Sequence, residues 1–283
     1  MNFIDISSWQ KGIDLAAVSA QNPLDGVIIK ATEGTYYTCP EMKGWADYVL
    51  KIGKPLGLYH FMAGGDPHAE AAYFVSVARP YLGKAVLVAD YEGNALKKGT
   101  KHLKEFLDTV LELTGVKPLV YCSLSVVQSQ DFNAIAKTYK LWVAQYASMD
   151  VVKGFQENPW QKGSVSPFSS YVMHQYTGNG RLSGYSGALD LDKYLGSYSS
   201  WMEMAEGDEQ PLKPADPEII KRVLDGEFDV GAERIQRLLE AGYDPTSVQE
   251  MINSLYSIAF SCRKFMKGYE DYSESIAQII RVL

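Results

Sequence analysis

Short apolar runs alternate with amphipathic stretches along the first two hundred residues. Seven runs have the length and side-chain character of β-strands: NFIDI, GVIIKA, PLGLYHF, AVLVADYE, KPLVYCS, KLWVAQY and YVMHQYT. The stretches between them have helical spacing, most clearly TKHLKEFLDTVLELTG, where Gly115 follows the last apolar residue. Strands that alternate with helices predict an α/β fold with a mostly parallel sheet. Because the later strands have fewer helices between them, the pattern favours an irregular barrel over an open doubly wound sheet.

The pattern changes after residue 205. Residues 206–215 are rich in charge and proline and have no apolar periodicity, which is typical of a linker. Residues 216–283 have only helical spacing, with three short helices predicted over 216–253 and the sequence Asp-Pro at the start of two of them. We therefore predict a domain over 1–205, a linker over 206–215 and a small all-α bundle over 216–283.

The tail beyond residue 253 carries an apolar stripe at helical spacing. Its members are Leu255, Ile258, Ala259, Cys262, Phe265 and Met266. Such a stripe has to be covered by the helical bundle or by another subunit. The sequence therefore leaves open a homo-oligomer that forms through the C-terminal helices.

The segment AVLVADYEGN carries an apolar strand directly into two acids, Asp90 and Glu92. Side chains two positions apart on a strand share a face, so both carboxyls are expected on one side and Tyr91 on the other. Two carboxyls in a partly desolvated place repel each other, which raises one pKa. A protonated carboxyl beside a charged one is the pair that a glycosidase uses. The alternative is that both acids lie in a solvated loop.

Other predicted strands also end in polar or aromatic residues. They are Asp5, Glu33, His60, Tyr121, Gln145 and Gln175. In a parallel barrel the carboxyl ends of all strands meet at one rim, where substrates bind. A rim that gathers several carboxyls and aromatic rings is a candidate active site, and it makes the solvated-loop explanation less favourable.

Composition excludes several classes of function. The 283 residues are 46% hydrophobic and 22% charged, as in an ordinary globular protein, and no apolar run approaches the length of a membrane span. The net charge of −7 argues against a nucleic-acid partner. Three distant cysteines and four scattered histidines match no zinc motif, so we expect no metal and no organic cofactor. The first ten residues lack the features of a secretory signal, so we expect synthesis in the cytoplasm.

Seven motifs together resemble a known family. FIDISSWQ, VIIKATEGTYY, GLYHF, VLVADYE, LVYCS, LWVAQY and HQYTGNGRLSGYSGALDLDKY occur in the order found in glycoside hydrolase family 25 muramidases, which include phage endolysins and bacterial autolysins. The resemblance covers residues 1 to about 202, and residues 216–253 resemble a cell-wall-binding repeat of the CW-seven type. It implies an irregular barrel whose groove binds bacterial peptidoglycan. It also implies hydrolysis of the β-1,4 bond between N-acetylmuramic acid and N-acetylglucosamine, by an enzyme that leaves the host cytoplasm to act on the wall.

The resemblance also assigns roles to individual residues. Glu92 would be the general acid, Asp90 its electrostatic partner, and Asp5 and Asp190 the other two acids of the groove. Asp192 lies where the family often has Asn, and we expect it to turn outward or to act as a cap. The candidate substrate-binding residues are Glu33, Tyr59, Tyr121, Gln145 and Gln175.

Some alternatives remain open at this stage. Glu33 could pair with a nearby cation instead of binding sugar, and His60 could be purely structural. The barrel could cleave chitin, or bind wall glycan without cutting it. The helical part could serve folding or oligomerisation instead of wall binding. Because the residues after 206 include nine basic and fourteen acidic residues, wall binding would use hydrogen bonds and aromatic contacts rather than positive charge.

Overall fold

A computed structural model describes residues 1–207 and 213–266 of the chain. The chain forms two compact units, Met1–Glu209 and Gln210–Leu283. Part of the predicted linker, residues 208–212, and the tail beyond residue 266 lie outside the described residues. The side chains of Cys262, Phe265 and Met266, which belong to the predicted stripe, are not described either.

The first unit is a closed barrel. Its strands are β1 (Asn2–Ile6), β2 (Gly26–Glu33), β3 (Tyr37–Thr38), β4 (Leu56–Phe61), β5 (Ala85–Asp90), β6 (Leu119–Ser123), β7 (Leu141–Ala144), β8 (Val152–Lys153), β9 (Tyr171–Arg181) and β10 (Leu189–Tyr194). Eight of these described strands form the ring in the order β1-β10-β9-β7-β6-β5-β4-β2, and a β2–β1 pairing closes it. The short strands β3 and β8 pair with β2 and β9 outside the ring.

The ring is mixed rather than fully parallel. Strands β1, β2, β4, β5, β6, β7 and β9 pair in parallel, whereas β10 is antiparallel to both of its neighbours. The predicted irregular α/β barrel is therefore confirmed, and the seven predicted strands are all present. Strand β10 was not predicted from hydropathy because Asp190, Asp192 and Lys193 interrupt its apolar pattern.

Six of the described helices belong to this unit. They are α1 (Leu15–Gln21), α2 (Met42–Lys51), α3 (Pro67–Ala78), α4 (Gly99–Thr114), α5 (Leu124–Ser129) and α6 (Tyr198–Glu206). Asp66 caps α3 by accepting hydrogen bonds from two backbone N–H groups, and Gly115 ends α4 with a φ of 71°. That left-handed conformation costs glycine little, which is why the residue marks the helix end in the sequence.

The barrel interior changes from apolar to polar along its axis. Phe3, Ile28, Val86, Leu119 and Met173 pack together at the amino ends of the parallel strands. Trp201 of α6 is fully buried against this layer and donates its indole N–H to the carbonyl of Leu56 at 3.0 Å. Because inward positions recur every second residue, the next inward positions toward the carboxyl ends hold the polar residues of the site.

The second unit is a three-helix bundle over its described residues. It contains α7 (Pro217–Leu224), α8 (Gly231–Glu240) and α9 (Pro245–Met266), packed around Ile219, Val223, Phe228, Leu238 and Val248. The expectation of three short helices is wrong for the third, because α9 runs for 22 residues through the start of the predicted tail. Leu255 packs partly against the core, while Ile258 of the same stripe is 60% exposed. Within the described residues, no helix is long and apolar enough to span a membrane.

Candidate active site

A cavity of about 370 Å³ opens at the rim formed by the carboxyl ends of the parallel strands. Four carboxylic acids line it: Asp5 on β1, Asp90 at the end of β5, Glu92 two residues later, and Asp190 on β10. Strand pairing explains part of this convergence, because Asp5 lies directly opposite Asp190 in the β1–β10 ladder. The closed ring brings the β5 acids to the same space from the other side.

The segment after β5 keeps the alternation of a strand. Asp90 and Glu92 both line the cavity, whereas Tyr91 is fully buried on the other side and donates its hydroxyl to Gln130 at 2.8 Å. The Tyr91 N–H also donates to the Tyr121 carbonyl at 2.9 Å, which extends the β5–β6 pairing beyond Asp90. The arrangement differs from a solvated loop, the alternative that the sequence left open.

The four acids differ in their access to solvent. Asp5 and Asp90 are buried, at 8% and 7% exposure, Asp190 is half-buried, and Glu92 is exposed to the open side of the cavity. Oδ1 of Asp90 is buried without a hydrogen-bond partner in the protein. Glu92 is therefore the acid best placed to reach a bound ligand, with a buried carboxyl behind it.

Burial raises the pKa of every acid in the group, and repulsion by neighbouring carboxylates adds to the shifts of Asp5, Asp90 and Asp190. Burial raises the pKa of Glu92, and the nearby Lys30 ammonium opposes the shift. Burial, then the charges of Glu92 and Asp5, raise the pKa of Asp90 well above its usual range. Burial and Glu92 raise the pKa of Asp190 to about 6. Such a group retains protons at a pH where isolated carboxyls are ionised, which is the condition for a general acid.

Gln175 of β9 connects Asp5 to the aromatic wall of the cavity. Its Nε2 donates to Asp5 Oδ2 at 2.7 Å, while its Oε1 accepts from the hydroxyls of Tyr121 at 2.8 Å and Tyr146 at 2.5 Å. The hydrogen bond from Gln175 lowers the pKa of Asp5, although burial and the charge of Asp190 raise it more strongly. The amide thus orients Asp5 and two phenols together.

Tyr59, Tyr121 and Gln175, all proposed from the sequence as substrate contacts, line the cavity. Glu33 lies instead in an adjoining recess of about 360 Å³ that it shares with Lys30 and Trp9. Its carboxylate accepts from the Lys30 ammonium at 2.6 Å and from the Tyr36 hydroxyl at 3.0 Å. Glu33 is therefore paired with a cation beside the cavity, as the alternative from the sequence anticipated.

The side chain of Gln145 does not line the cavity with the other candidate residues. Its Nε2 donates to the Lys162 carbonyl at 2.8 Å, and its Oε1 accepts from the Lys162 N–H at 3.0 Å. Both ends of the amide are used to hold the segment that follows β8, so the side chain points away from the cavity. His60 is also structural: the fully buried ring bonds Thr32 at 2.8 Å and Glu70 at 3.0 Å.

Asp192 contradicts the expectation that it turns outward or acts as a cap. It is fully buried inside the barrel, and its Oδ1 accepts the indole N–H of Trp142 at 3.0 Å. Lys30 was missed altogether, although it also lines the cavity and lies 4.6 Å from the centre of the Phe61 ring. A lysine at an inward position of an apolar strand was the signal that could have found it.

Among the described residues, no group of three or more His, Cys, Asp or Glu side chains is arranged to hold a metal ion. Cys39 and Cys122 are buried and free. The polar groups that line the cavity are carboxyls, phenols, two amides, a serine hydroxyl and an ammonium, which suit proton transfer and hydrogen bonding to a sugar.

The sequence matches the family described as "Glycosyl hydrolases family 25" over residues 4–185, nearly two thirds of the chain. The chain belongs to glycosyl hydrolase family 25. The matched range includes Asp5, Asp90 and Glu92 but ends before Asp190. The matched range therefore holds three of the four acids, and the fourth lies on β10, which completes the ring.

Relatives of this family 25 chain carry lysozyme names. It is 28% identical over 197 residues to the autolytic lysozyme of Clostridium acetobutylicum, covering 69% of this chain and 56% of that protein. It is 26% identical over 269 residues to the lysozyme of Streptococcus phage Cp-7, covering 89% of this chain and 69% of that protein. The chain thus spans little more than half of the first relative and about 70% of the second.

Solved structures support the same fold. The bacterial lysozyme from Streptomyces coelicolor superposes on the family 25 barrel with a TM-score of 0.61, at 23% identity, covering 72% of this chain and 96% of that one. At this level of identity the likeness establishes the fold alone. The arrangement of acids in this chain therefore has to be argued from its own side chains.

Proposed function

We propose that this chain is a muramidase that hydrolyses the β-1,4 bond between N-acetylmuramic acid and N-acetylglucosamine in bacterial peptidoglycan. The observation that carries the proposal is the convergence of Asp5, Asp90, Glu92 and Asp190 in one cavity at the carboxyl ends of a family 25 barrel. The lysozyme names of the relatives, one autolytic and one from a phage, agree with this substrate class.

Glu92 is proposed as the general acid. It is the most exposed of the four acids, so its carboxyl can reach a glycosidic oxygen in the cavity. Burial raises its pKa above the usual value, so Glu92 keeps its proton to higher pH than an isolated glutamate does. Proton transfer to the leaving oxygen then allows the bond to break as positive charge develops on the sugar ring.

The remaining acids are proposed to stabilise that positive charge. Asp90 lies behind Glu92 on the same side of the chain, and Asp5 with Asp190 faces it across the barrel. Asp5 is aimed by the Gln175 hydrogen bond. Carboxylates preorganised around a developing cation lower the barrier because they need no reorganisation during the reaction.

Replacement of Glu92 by glutamine tests the assignment, because it retains shape and hydrogen bonding but removes the transferable proton. Purified peptidoglycan is incubated with the parent and with Glu92→Gln, and new reducing ends and free amino groups are measured. We expect reducing ends that terminate in muramic acid, reduced about 100-fold or more in the variant. Glu105→Gln on α4, whose side chain is 40% exposed, is the matched control and should cleave like the parent.

Each other outcome refutes a defined part of the proposal. Unchanged cleavage by Glu92→Gln would remove Glu92 from the role of acid. Products that end only in N-acetylglucosamine would indicate a different glycosidic bond. No release of sugar ends by the parent, with retained binding, would favour a barrel that binds wall glycan without cutting it, and free amino groups would indicate an amide-cleaving enzyme.

The helical unit is proposed as a wall-binding module of the CW-seven type, with its repeat over residues 216–253 and the preceding residues 206–215 as a linker. The match to the phage lysozyme supports the proposal, because 89% of 283 residues is about 250, more than the first unit contains. The alignment therefore extends into the helical unit, so the likeness is not restricted to the barrel.

Wall binding by this unit is testable in the full chain. Ile220 is 2% exposed in the core of the bundle, and Leu224 on the same helix is 45% exposed. In a Glu92→Gln background, Ile220→Asp should abolish sedimentation with purified walls, whereas Leu224→Asp should sediment like its parent. If Ile220→Asp sediments equally well, the barrel alone provides wall affinity and the helical unit has another role.

A further inference from the structure

Asp192 lies one layer below the acids that line the cavity. It is on the same face of β10 as Asp190, opposite Phe3 of β1 and opposite Gln175 of β9. In the antiparallel β1–β10 ladder this makes Asp192 a diagonal neighbour of Asp5, within reach on the inner face. It is fully buried and does not line the cavity, so a substrate does not touch it.

The two carboxyl oxygens of Asp192 differ in their hydrogen bonding. Oδ1 accepts the Trp142 indole N–H at 3.0 Å, whereas Oδ2 is buried and receives no hydrogen bond from a protein donor. The diagonal pairing nevertheless places this carboxyl beside that of Asp5 on the inner face, where it lowers the pKa of Asp5 and Asp5 raises the pKa of Asp192. Two ionised carboxylates accept but do not donate, so a hydrogen bond between them requires one shared proton.

The surroundings assign that proton to Asp192. Asp5 is slightly exposed to the cavity and already accepts a hydrogen bond from the Gln175 amide, both of which favour its charged form. Asp192 has no exposure and only one neutral donor, so ionisation there is more costly. Burial, followed by the charges of Asp5 and Asp190, raises the pKa of Asp192 well above its usual range.

Among the described residues, the titratable groups that interact with this pair are acids and phenols. The acids around Asp5 are Asp190, Glu92 and Asp90, and the phenols around the pair are Tyr59, Tyr121, Tyr146 and Tyr176. Lys30, a cation in the cavity, faces Asp90 and Glu92. A second negative charge on the pair would therefore be repelled on several sides, which favours retention of one proton.

We propose that Asp192 is a positioning residue that stays protonated below the floor of the cavity and donates its Oδ2 hydrogen to Asp5. Asp5 is then an anion held by two donors, Asp192 and Gln175, and aimed at the space in front of Glu92. This role deepens the proposed muramidase function and rests on it. An asparagine at position 192 can make both contacts, because its oxygen accepts from Trp142 and its NH₂ donates to Asp5.

Two variants distinguish the effect of the Asp192 hydrogen-bond donor from the effect of its side-chain volume. Asp192→Asn retains the donor, while Asp192→Leu has a similar volume and removes it. We expect Asp192→Asn to keep kcat within about threefold on soluble peptidoglycan fragments. We expect Asp192→Leu to lose about tenfold or more in kcat with little change in KM, since Asp5 acts on the bound transition state.

The pH profile reports the charge of Asp5 directly. Without the Asp192 donor, Asp5 binds its own proton more readily, so the acid limb of kcat/KM should move to higher pH in Asp192→Leu. The limb should keep its parental position in Asp192→Asn. A loss of packing alone would lower activity without moving the limb.

Infrared difference spectroscopy provides a readout that needs no activity. At neutral pH, the parent minus Asp192→Asn spectrum should contain the C=O band of one protonated, deuterium-sensitive carboxyl. The proposal is overturned if that band is absent, if Asp192→Asn loses as much kcat as Asp192→Leu, or if Asp192→Leu cleaves like the parent. If Asp192→Leu does not fold, the infrared band alone tests whether Asp192 is protonated. If the parent does not cleave peptidoglycan, the muramidase assignment fails, but the band still tests whether Asp192 carries a proton.

Discussion

Replacing Gln175 by leucine should affect both stability and catalysis, because this buried amide makes three hydrogen bonds. It is 3% exposed, accepts from two tyrosine hydroxyls and donates to the Asp5 carboxyl. The two neutral bonds are worth about 1 kcal/mol each and the bond to a carboxylate about 1.5–3 kcal/mol. Burial of the apolar leucine side chain offsets about 1–2 kcal/mol of this loss, so the free energy of unfolding should fall by about 2–4 kcal/mol.

The expected readouts follow from that magnitude. For a unit of this size a loss of 2–4 kcal/mol lowers Tm by about 5–15 °C, measurable by circular dichroism or calorimetry. The Asp5 carboxyl also loses a hydrogen bond that lowers its pKa. Its protonation therefore extends to higher pH, and we expect kcat on peptidoglycan to fall about tenfold or more near neutral pH.

Gln145→Leu is the matched control. Gln145 also makes two amide hydrogen bonds, but with the backbone of Lys162 outside the cavity. We expect this variant to lower Tm while kcat of the remaining folded enzyme stays within about twofold of the parent. Equal kcat losses in the two variants would refute the argument, because position relative to Asp5 would then not matter.

Three further predictions concern charge and the helical unit. Because burial raises the pKa of Asp192 well above its unfolded value, the folded state holds a proton that unfolding releases. The free energy of unfolding should therefore fall as pH rises from about 4 toward neutral, by up to about 1.4 kcal/mol per pH unit, in urea titrations. A flat or rising profile over this range would contradict the burial of this acid. Lys30→Met removes the cation that lowers the pKa of Glu92, so the alkaline limb of kcat/KM should move to higher pH, and a downward move would show that Lys30 acts otherwise. Asp216→Ala removes the cap of α7 and should cost the helical unit about 1–2 kcal/mol while hydrolysis of soluble fragments is unchanged; a matching loss of hydrolysis would argue against independent roles.

The sequence alone determined the architecture of the barrel. The apolar runs of strand length and the one clear helix, which ends at Gly115, were sufficient to predict it. Buried side chains recur at a fixed spacing along a strand or helix, so the pattern can be read from a short stretch of sequence. Asp90 at the end of β5 and Glu92 two residues later were identified for the same reason, since alternation along a strand fixes which side chains share a face. Strand β10 was missed because two of its charged residues, Asp190 and Asp192, face the barrel interior, where apolar residues are expected.

Only the tertiary structure decided which polar side chains meet. Gln145 directly follows β7 and Gln175 lies within β9, yet one amide binds the backbone of Lys162 and the other binds Asp5, because the two side chains leave the ring on different faces. Asp192 resembles a surface residue in the sequence, but the antiparallel β1–β10 pairing places it beside Asp5 inside the barrel. The contacts of Asp5 with Gln175 and Asp192 depend on ring closure between residues 170 or more positions apart, and no local sequence pattern indicates that they meet.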